Sequence, residues 1–252
     1  GLQDTRTPLA VAVGAGALNL VLEVVLIYGL DRGIGASALT TVLAQWVAAA
    51  VYLRRIFHTA RTQGVDLGPH PASLRRLGAV GRDLVVRTAA LRAALIVATA
   101  VATRLGTVDV AAHQIAFEIW SFLALALDAI AIAGQAMVGR NLGARDAAAA
   151  RGAGRRMIEW GLVFGAAVGA VVFALRTALP DLFTDDPAVA GLAAFLLVWV
   201  AVLQPVNGVA FVLDGILIGA GDMRFLAWVM VGSVAVFSAA ATSRRRDTRR
   251  SV

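Results

Sequence analysis

No cysteine occurs anywhere in the 252 residues, which excludes disulfides, thiolate metal sites and cysteine nucleophiles together. Histidine is nearly as scarce. His58, His70 and His113 are the whole supply, too few and too scattered for a histidine-built metal centre. Lysine is absent, so all 23 basic residues are arginines. Charged residues make up 15% of the chain and hydrophobic ones 59%, where soluble domains run at about 25% and about 45–50%. With a mean hydropathy of +0.78, too little polar surface remains to coat a water-soluble globule. A soluble enzyme, a disordered chain and a coiled coil are all excluded.

What is present in abundance is apolar sequence in long runs. A helix needs about 20 apolar residues to cross a hydrocarbon core of about 30 Å. Seven stretches approach or meet that length: roughly 9–28, 34–56, 84–102, 108–138, 157–175, 189–219 and 225–242. Ala, Leu, Val and Gly dominate them without strand-like alternation, so the spans are helices rather than the walls of a barrel. The expected fold is an all-α membrane protein with about seven transmembrane helices. The fourth and sixth stretches overrun a bilayer unless tilted or bent, and Pro205 gives the sixth a reason to bend.

One connection is long. Between Arg54 and Arg87, Gly64, Gly68, Pro69 and Pro71 interrupt any continuous helix. Its second half, 72–87, sets Leu and Val against Arg pairs at helical spacing and reads as a short interfacial helix leading into the third span. Arginine placement then orients the chain. With Gly1 cytoplasmic, fourteen arginines fall on that side: Arg6, the seven between Arg54 and Arg87, Arg140, Arg145, Arg151, Arg155, Arg156 and Arg224. Only Arg32, Arg104 and Arg176 fall opposite. The five arginines between Arg244 and Arg250 disagree, because an odd number of spans places them outside. Topology and anionic-lipid contact explain the basic excess. Nucleic-acid binding is not expected, since no stacking aromatics interleave with the arginine clusters.

Two short segments repeat the pattern G-x-x-D-x-R at the start of an apolar helix on the same face, Gly1–Arg6 and Gly219–Arg224. Such a parallel repeat fits halves related by an axis along the membrane normal. A third relative, 139–146, follows another span on that face. These residues, together with 18–22, 111–116, 134–144 and 214–222, resemble the multidrug and toxic compound extrusion (MATE) transporters, most of all their DinF-like branch.

The resemblance implies twelve spans in two six-helix lobes, with this chain matching the fifth span into the eleventh. On that basis residues 1–57 hold the last two helices of the N-terminal lobe and 58–83 a cytoplasmic linker with an interfacial helix. Residues 84–243 hold the helices of an incomplete C-terminal lobe, and 244–252 form an Arg-rich tail. The helices still needed would be a partner, alongside the lipid bilayer and drug-like small molecules. The chain alone is expected to insert in a bacterial inner or plasma membrane without exporting drugs.

Ionisable groups inside membrane helices are costly, so each is a candidate for function. On the fourth span Gln114, Glu118, Ser121, Asp128 and Gln135 fall within an arc of about 100° at the α-helical rotation. His113 lies just off that stripe and reads as an interfacial hydrogen bonder. On the third span Thr88, Arg92, Thr99 and Thr103 share about 60°. Arg92 is expected to face Asp128 or Glu118, because the two spans are joined by a short loop and an ion pair keeps both groups charged in a poor dielectric. On the sixth, Gln204, Asn207 and Asp214 share about 80°. A proline-broken helix there frees carbonyls that could bind a cation, while the shallow Asp214 could instead snorkel or cap the turn at Gly215 and Gly219. Asn19 and Glu23, one turn apart on the first span, form a further patch.

From the resemblance follows export of organic, often cationic compounds in exchange for H+ or Na+, by alternating access and without any other cofactor. A carboxylate in a dry cavity that takes up a proton would release such a cargo. Glu118 and Asp128 are the candidates for coupling. The family usually has Asp where this chain has Glu23, and a key acidic residue of the branch lies on a helix outside this sequence. A lipid-linked oligosaccharide flippase of the same superfamily is the alternative. It would need several deep arginines for pyrophosphate, and Arg92 alone lies deep in a span. A non-functional fragment is a further possibility. No H-E-x-x-H or G-x-S-x-G pattern points to an intramembrane enzyme.

Overall fold

The computed structural model describes residues 6–29, 34–64, 68 and 70–248. The segment 1–5 of the first G-x-x-D-x-R copy, Asp31, Arg32, Pro69 and the last residues of the Arg-rich tail lie outside that set. The described chain is helical, with no strand among the described residues, and divides into two units, 1–73 and 74–252.

In the first unit α1 (Arg6–Glu23) passes into a π-helical segment (Val24–Gly29), and α2 (Ile34–Thr62) returns alongside it. The pair is antiparallel. Near one end the Arg55 guanidinium donates to Thr7 Oγ1 at 2.7 Å and Tyr52 Oη to Pro8 O at 3.4 Å. Near the other, Ser37 Oγ donates to Glu23 Oε1 at 2.7 Å.

The second unit holds α3 (Pro71–Leu105), α4 (Thr107–Gly143), α5 (Ala147–Leu175), a 3-10 turn (Pro180–Leu182), α6 (Pro187–Ala220) and α7 (Met223–Thr248). Its core is the triangle of α4, α5 and α6. Each contributes one narrow stripe: Ala112, Ala116, Ala131 and Val138 from α4, Val172 from α5, and Val189, Ala193, Leu197, Ala201 and Val212 from α6. Backbones meet where these stripes carry Gly or Ala, the small-residue packing that brings helices together in lipid, and Ile115, Ile119 and Leu127 of α4 with Leu197 of α6 fill the rest of the core. Gly161, Gly165 and Gly169 form a row with period four on α5. A Cβ at Gly161 would stand 2.7 Å from Gly208 O, one at Gly165 2.5 Å from Gln204 O, and one at Gly169 2.5 Å from Ala201 O. Further along the same stripe α6 lays Gly215 and Gly219 against the backbones of Ala131 and Gln135 of α4.

Six helices are long and apolar enough to cross a membrane: residues 6–27, 35–62, 71–105, 107–143, 147–175 and 187–220. Within the seventh expected span the described side chains form the apolar stretch Met223–Ser238, and the α7 backbone continues helically to Thr248. The interfacial helix expected over 72–87 is not a separate element. It is the first part of the 35-residue α3, since no breaker follows Pro71 and good helix formers carry the turn through the arginine pairs. Pro205 sits inside the continuous α6.

The two described relatives of the motif, 139–146 and 219–224, lie at chain reversals. At the end of α6, Gly221 adopts a left-handed φ of 80° and its N–H donates to Ile218 O, while Asp222 N donates to Leu217 O. Asp222 Oδ1 then accepts from Phe225 N at 3.2 Å and opens α7. The segment 143–146 does the same between α4 and α5. Arg145 takes the left-handed φ of 61°, and Asp146 Oδ1 caps Ala149 N at 2.8 Å. A left-handed residue, Gly221 or Arg145, followed by a capping Asp thus stops one helix and starts the next.

Candidate functional site

The polar residues expected from the sequence separate into five places. On α6, Asn207 Nδ2 donates to Gln204 Oε1 at 3.2 Å. Gln204 is 1% exposed, and its Nε2 has no hydrogen-bond partner. Pro205, one residue on, has no N–H to give the carbonyl four residues back, Ala201 O. That acceptor does not open onto a cavity. Gly169 of α5 lies directly over it, close enough for a weak Cα–H···O contact, and Gly165 covers Gln204 O likewise. The α5 backbone at Gly169 therefore packs against the one carbonyl that the proline frees.

Asp214, two turns further along α6, neither snorkels nor caps. Arg87 of α3 grips it with two hydrogen bonds, Nε to Oδ1 at 3.1 Å and Nη2 to Oδ2. The side chains are 21% and 23% exposed, so the pair is largely withdrawn from solvent, in the fork geometry that makes Arg–carboxylate contacts strong. It is the contact that ties α3 to α6.

Arg92 does not meet Asp128 or Glu118. It is exposed, makes no hydrogen bond or ion pair among the described residues, and lines a shallow hollow with Leu84, Val85, Thr88 and Ala89. The reason is rotational. Arg87 and Arg92 lie about 140° apart around α3, so docking Arg87 on α6 turns the stripe of Thr88, Arg92, Thr99 and Thr103 outward. All four of those residues are exposed. Nor does α3 pack along α4. The two are separated only by Gly106, whose φ of 154° lets the chain leave the bundle at an angle that residues with a Cβ rarely adopt.

The α4 stripe lies on the face opposite α5 and α6. Gln114 Nε2 donates to Glu118 Oε1 at 3.0 Å, and both are exposed, as is Asp128. Ser121 and Gln135 flank them half-buried. His113 stacks on Phe117 with ring centroids 6.3 Å apart. No group of three metal-ligating side chains occurs among the described residues.

In the first unit Asn19 and Glu23 both face α2. Glu23 accepts from Ser37, and Asn19 Oδ1 is buried without a partner. Thr40, fully buried, donates to Ser37 O at 2.8 Å. The switch from α to π winding immediately follows Glu23, and such local rewinding often accompanies functional positions.

Three residues of this arrangement escaped the sequence: Arg87, Ser37 and Thr40. Arg87 was grouped with the topology arginines. Its depth, in the first turn of an apolar stretch at the same membrane end as Asp214, was the available signal.

The MatE family model matches residues 85–241. Protein DETOXIFICATION 43 of Arabidopsis thaliana is 33% identical over 243 residues, covering 95% of this chain and 45% of the relative. The DNA damage-inducible protein F of Escherichia coli (strain K12) is 30% identical over 232 residues, covering 87% and 49%. The multidrug resistance protein NorM of Burkholderia vietnamiensis is 33% identical over 231 residues, covering 87% and 50%. The chain therefore spans about half the length of the curated relatives it matches. Among solved structures, a mutant of the Vibrio cholerae MATE transporter VcmN superposes with a TM-score of 0.69 at 20% identity, over 98% of this chain and 63% of that one. The bent form of the same transporter gives 0.66.

Proposed function

Because this chain belongs to the MatE family, we propose that its helices serve a secondary active antiporter that exports organic, often cationic compounds in exchange for H+ or Na+. Six span-length apolar helices make it a multi-pass membrane protein, and a bacterial cell membrane is the proposed location. The relatives named for multidrug resistance supply the substrate class by analogy.

One observation carries the reading. Both polar stripes of the second unit, Thr88–Arg92–Thr99–Thr103 on α3 and Gln114–Glu118–Asp128 on α4, occupy faces that the α4–α6 core leaves uncovered. Charged groups on a span do not settle against acyl chains, so such faces border water or a polar cargo. Glu118 and Asp128 are then open to a proton, a sodium ion or a cationic substrate, and Asn207, Asp214, Asn19 and Glu23 are secondary candidates. Binding of one cation at a carboxylate weakens binding of another there by simple competition, and rocking of two lobes would turn that competition into exchange.

The flippase alternative needs free arginines. The second arginine within a span, Arg87, is neutralised by Asp214, and this favours the antiporter.

The test is binding linkage, which does not require a full transport cycle. With the protein in lipid nanodiscs, ethidium polarisation should report binding whose Kd rises as Na+ is added or pH falls. Glu118→Gln with Asp128→Asn should abolish that dependence. Ethidium binding indifferent to both cations overturns the coupling. In vesicles holding residues 1–252 alone, gradient-driven ethidium export is not expected, because alternating access takes two lobes.

A further inference from the structure

We infer that the groove between α4, α5 and α6 at their arginine-rich end is a binding site for one anionic membrane phospholipid, its acyl chain in the trough and its phosphodiester on Arg151 and Arg155. The groove has a volume of about 680 Å³. Its floor and walls are apolar and mostly small: Val138 and Leu142 from α4, Ala150 and Gly154 from α5, Leu213 and Ile216 from α6. It exists because α5 enters the bundle with little bulk on that side. A Cβ at Gly154 would stand in ordinary contact with Ile216 Cδ1, at 3.5 Å, and the groove lies alongside this small-residue contact.

The charges at the rim select the occupant. Arg151 and Arg155, one turn apart on α5, both line the groove. Arg155 Nε and Arg156 Nη1 each reach Glu159 at 3.3 Å, and Glu159 is the acidic residue lining the groove. Arg151 has no partner among the described residues. Asp146 spends its carboxylate on the α5 amides through Ala149 N. Three guanidinium groups against one carboxylate leave a net positive rim over an apolar trough. A ligand that matches both must carry negative charge at one end and hydrocarbon at the other, and a bilayer supplies such molecules at high concentration. Basic pockets between spans on the cytoplasmic side bind anionic headgroups on this principle. This site lies apart from the stripes assigned to coupling, and it does not depend on the transport reading.

Native mass spectrometry of the purified protein, equilibrated with equimolar phosphatidylglycerol and phosphatidylcholine in mixed micelles, tests the assignment. Wild type should retain phosphatidylglycerol in preference by about fivefold, the effect of one uncompensated arginine near an anionic surface. Arg151→Gln with Arg155→Gln should bring the two lipids to parity. The control Arg75→Gln with Arg82→Gln, exposed arginines elsewhere, should leave the preference intact. Ala147→Leu, a substitution at an exposed residue of the groove wall, should lower retention of both lipids. Parity in the wild type overturns the site, as does a preference that survives the Arg151 and Arg155 changes. Equal loss in the control means diffuse charge rather than a site. Retention unaffected by Ala147→Leu removes the acyl chain from the groove.

Discussion

Replacing Gly165 by Ala adds one methyl group at the place where α5 rests on the backbone of α6. An ideal Cβ there stands 2.5 Å from Gln204 O and 3.0 Å from both Gln204 C and Pro205 Cα. These are main-chain atoms inside a helix and cannot swing aside, so α5 must withdraw by roughly 1 Å to restore ordinary contact. Gly161 and Gly169 belong to the same row and lose their contacts with it. Overpacking of this kind costs about 1–3 kcal/mol, against a gain of about 1 kcal/mol from the better helix propensity of alanine. The net expectation is a loss of up to about 2 kcal/mol. Gly154→Ala is the internal control. It lies on the same helix, and its Cβ would touch only the end of the Ile216 side chain at 3.5 Å, so the propensity gain stands alone. At about 2–4 °C per kcal/mol for a chain of this size, the two variants should melt on opposite sides of wild type. Intrinsic tryptophan fluorescence in detergent measures this, since the chain has no cysteine for a thiol dye. Equal shifts of the same sign would refute the claim that backbone contact sets the glycine row.

Other expectations concern single contacts. Arg87→Gln and Asp214→Asn each leave a largely buried charge unpaired. A double-mutant cycle on thermal stability should show coupling of about 1–3 kcal/mol, and additive losses would mean the pair contributes nothing specific. Arg145 holds a φ of 61°, so Arg145→Gly should stabilise the turn between α4 and α5 by about 1 kcal/mol, seen as a higher melting temperature. Asp186→Ala removes the cap that accepts Ala188 N at 2.8 Å and should cost about 1 kcal/mol, whereas Asp186→Asn should cost little, because Asn caps as well as Asp.

Much of this was legible beforehand because it depends on local composition. Length and apolarity mark the helices of residues 6–27, 35–62, 107–143, 147–175 and 187–220, although the arginine-bearing start of α5, at 147 rather than 157, and the last turns of α2 and α4 lie beyond the apolar stretches that marked them. The pairing of Asn19 and Glu23 on one face of α1 follows from their spacing alone. The continuity of α3 was obscured by its arginine pairs, which read as an interfacial segment although no residue after Pro71 stops a helix. The π winding after Glu23 leaves no compositional trace, since it depends on how one helix settles against another. The row of glycines on α5 was counted as apolar sequence. Its role as the surface that admits the α6 backbone, and that covers the Ala201 carbonyl freed by Pro205, emerges only when the two helices are set together.

The partner of Asp214 shows most clearly where one-dimensional reading stops. Depth along a span can be counted from a rise of about 1.5 Å per residue, and by depth both Arg92 with Asp128 and Arg87 with Asp214 are acceptable pairs. What chooses between them is the azimuth of α3 about its own axis, and no residue of α3 states its azimuth in isolation. Two features decide it jointly. Gly106 releases α3 from running beside α4, and the half-buried face of α3, which carries Arg87 and the fully buried Ala102, turns inward. Arg92 is carried outward by the same rotation. A guanidinium so placed within an apolar helix needs an anionic or aqueous neighbour, and Arg92 opens onto the hollow that it lines with Leu84, Val85, Thr88 and Ala89. Arg92→Leu should therefore leave the melting temperature near that of wild type while altering ethidium affinity. A large loss of stability with unchanged affinity would instead make Arg92 a structural residue.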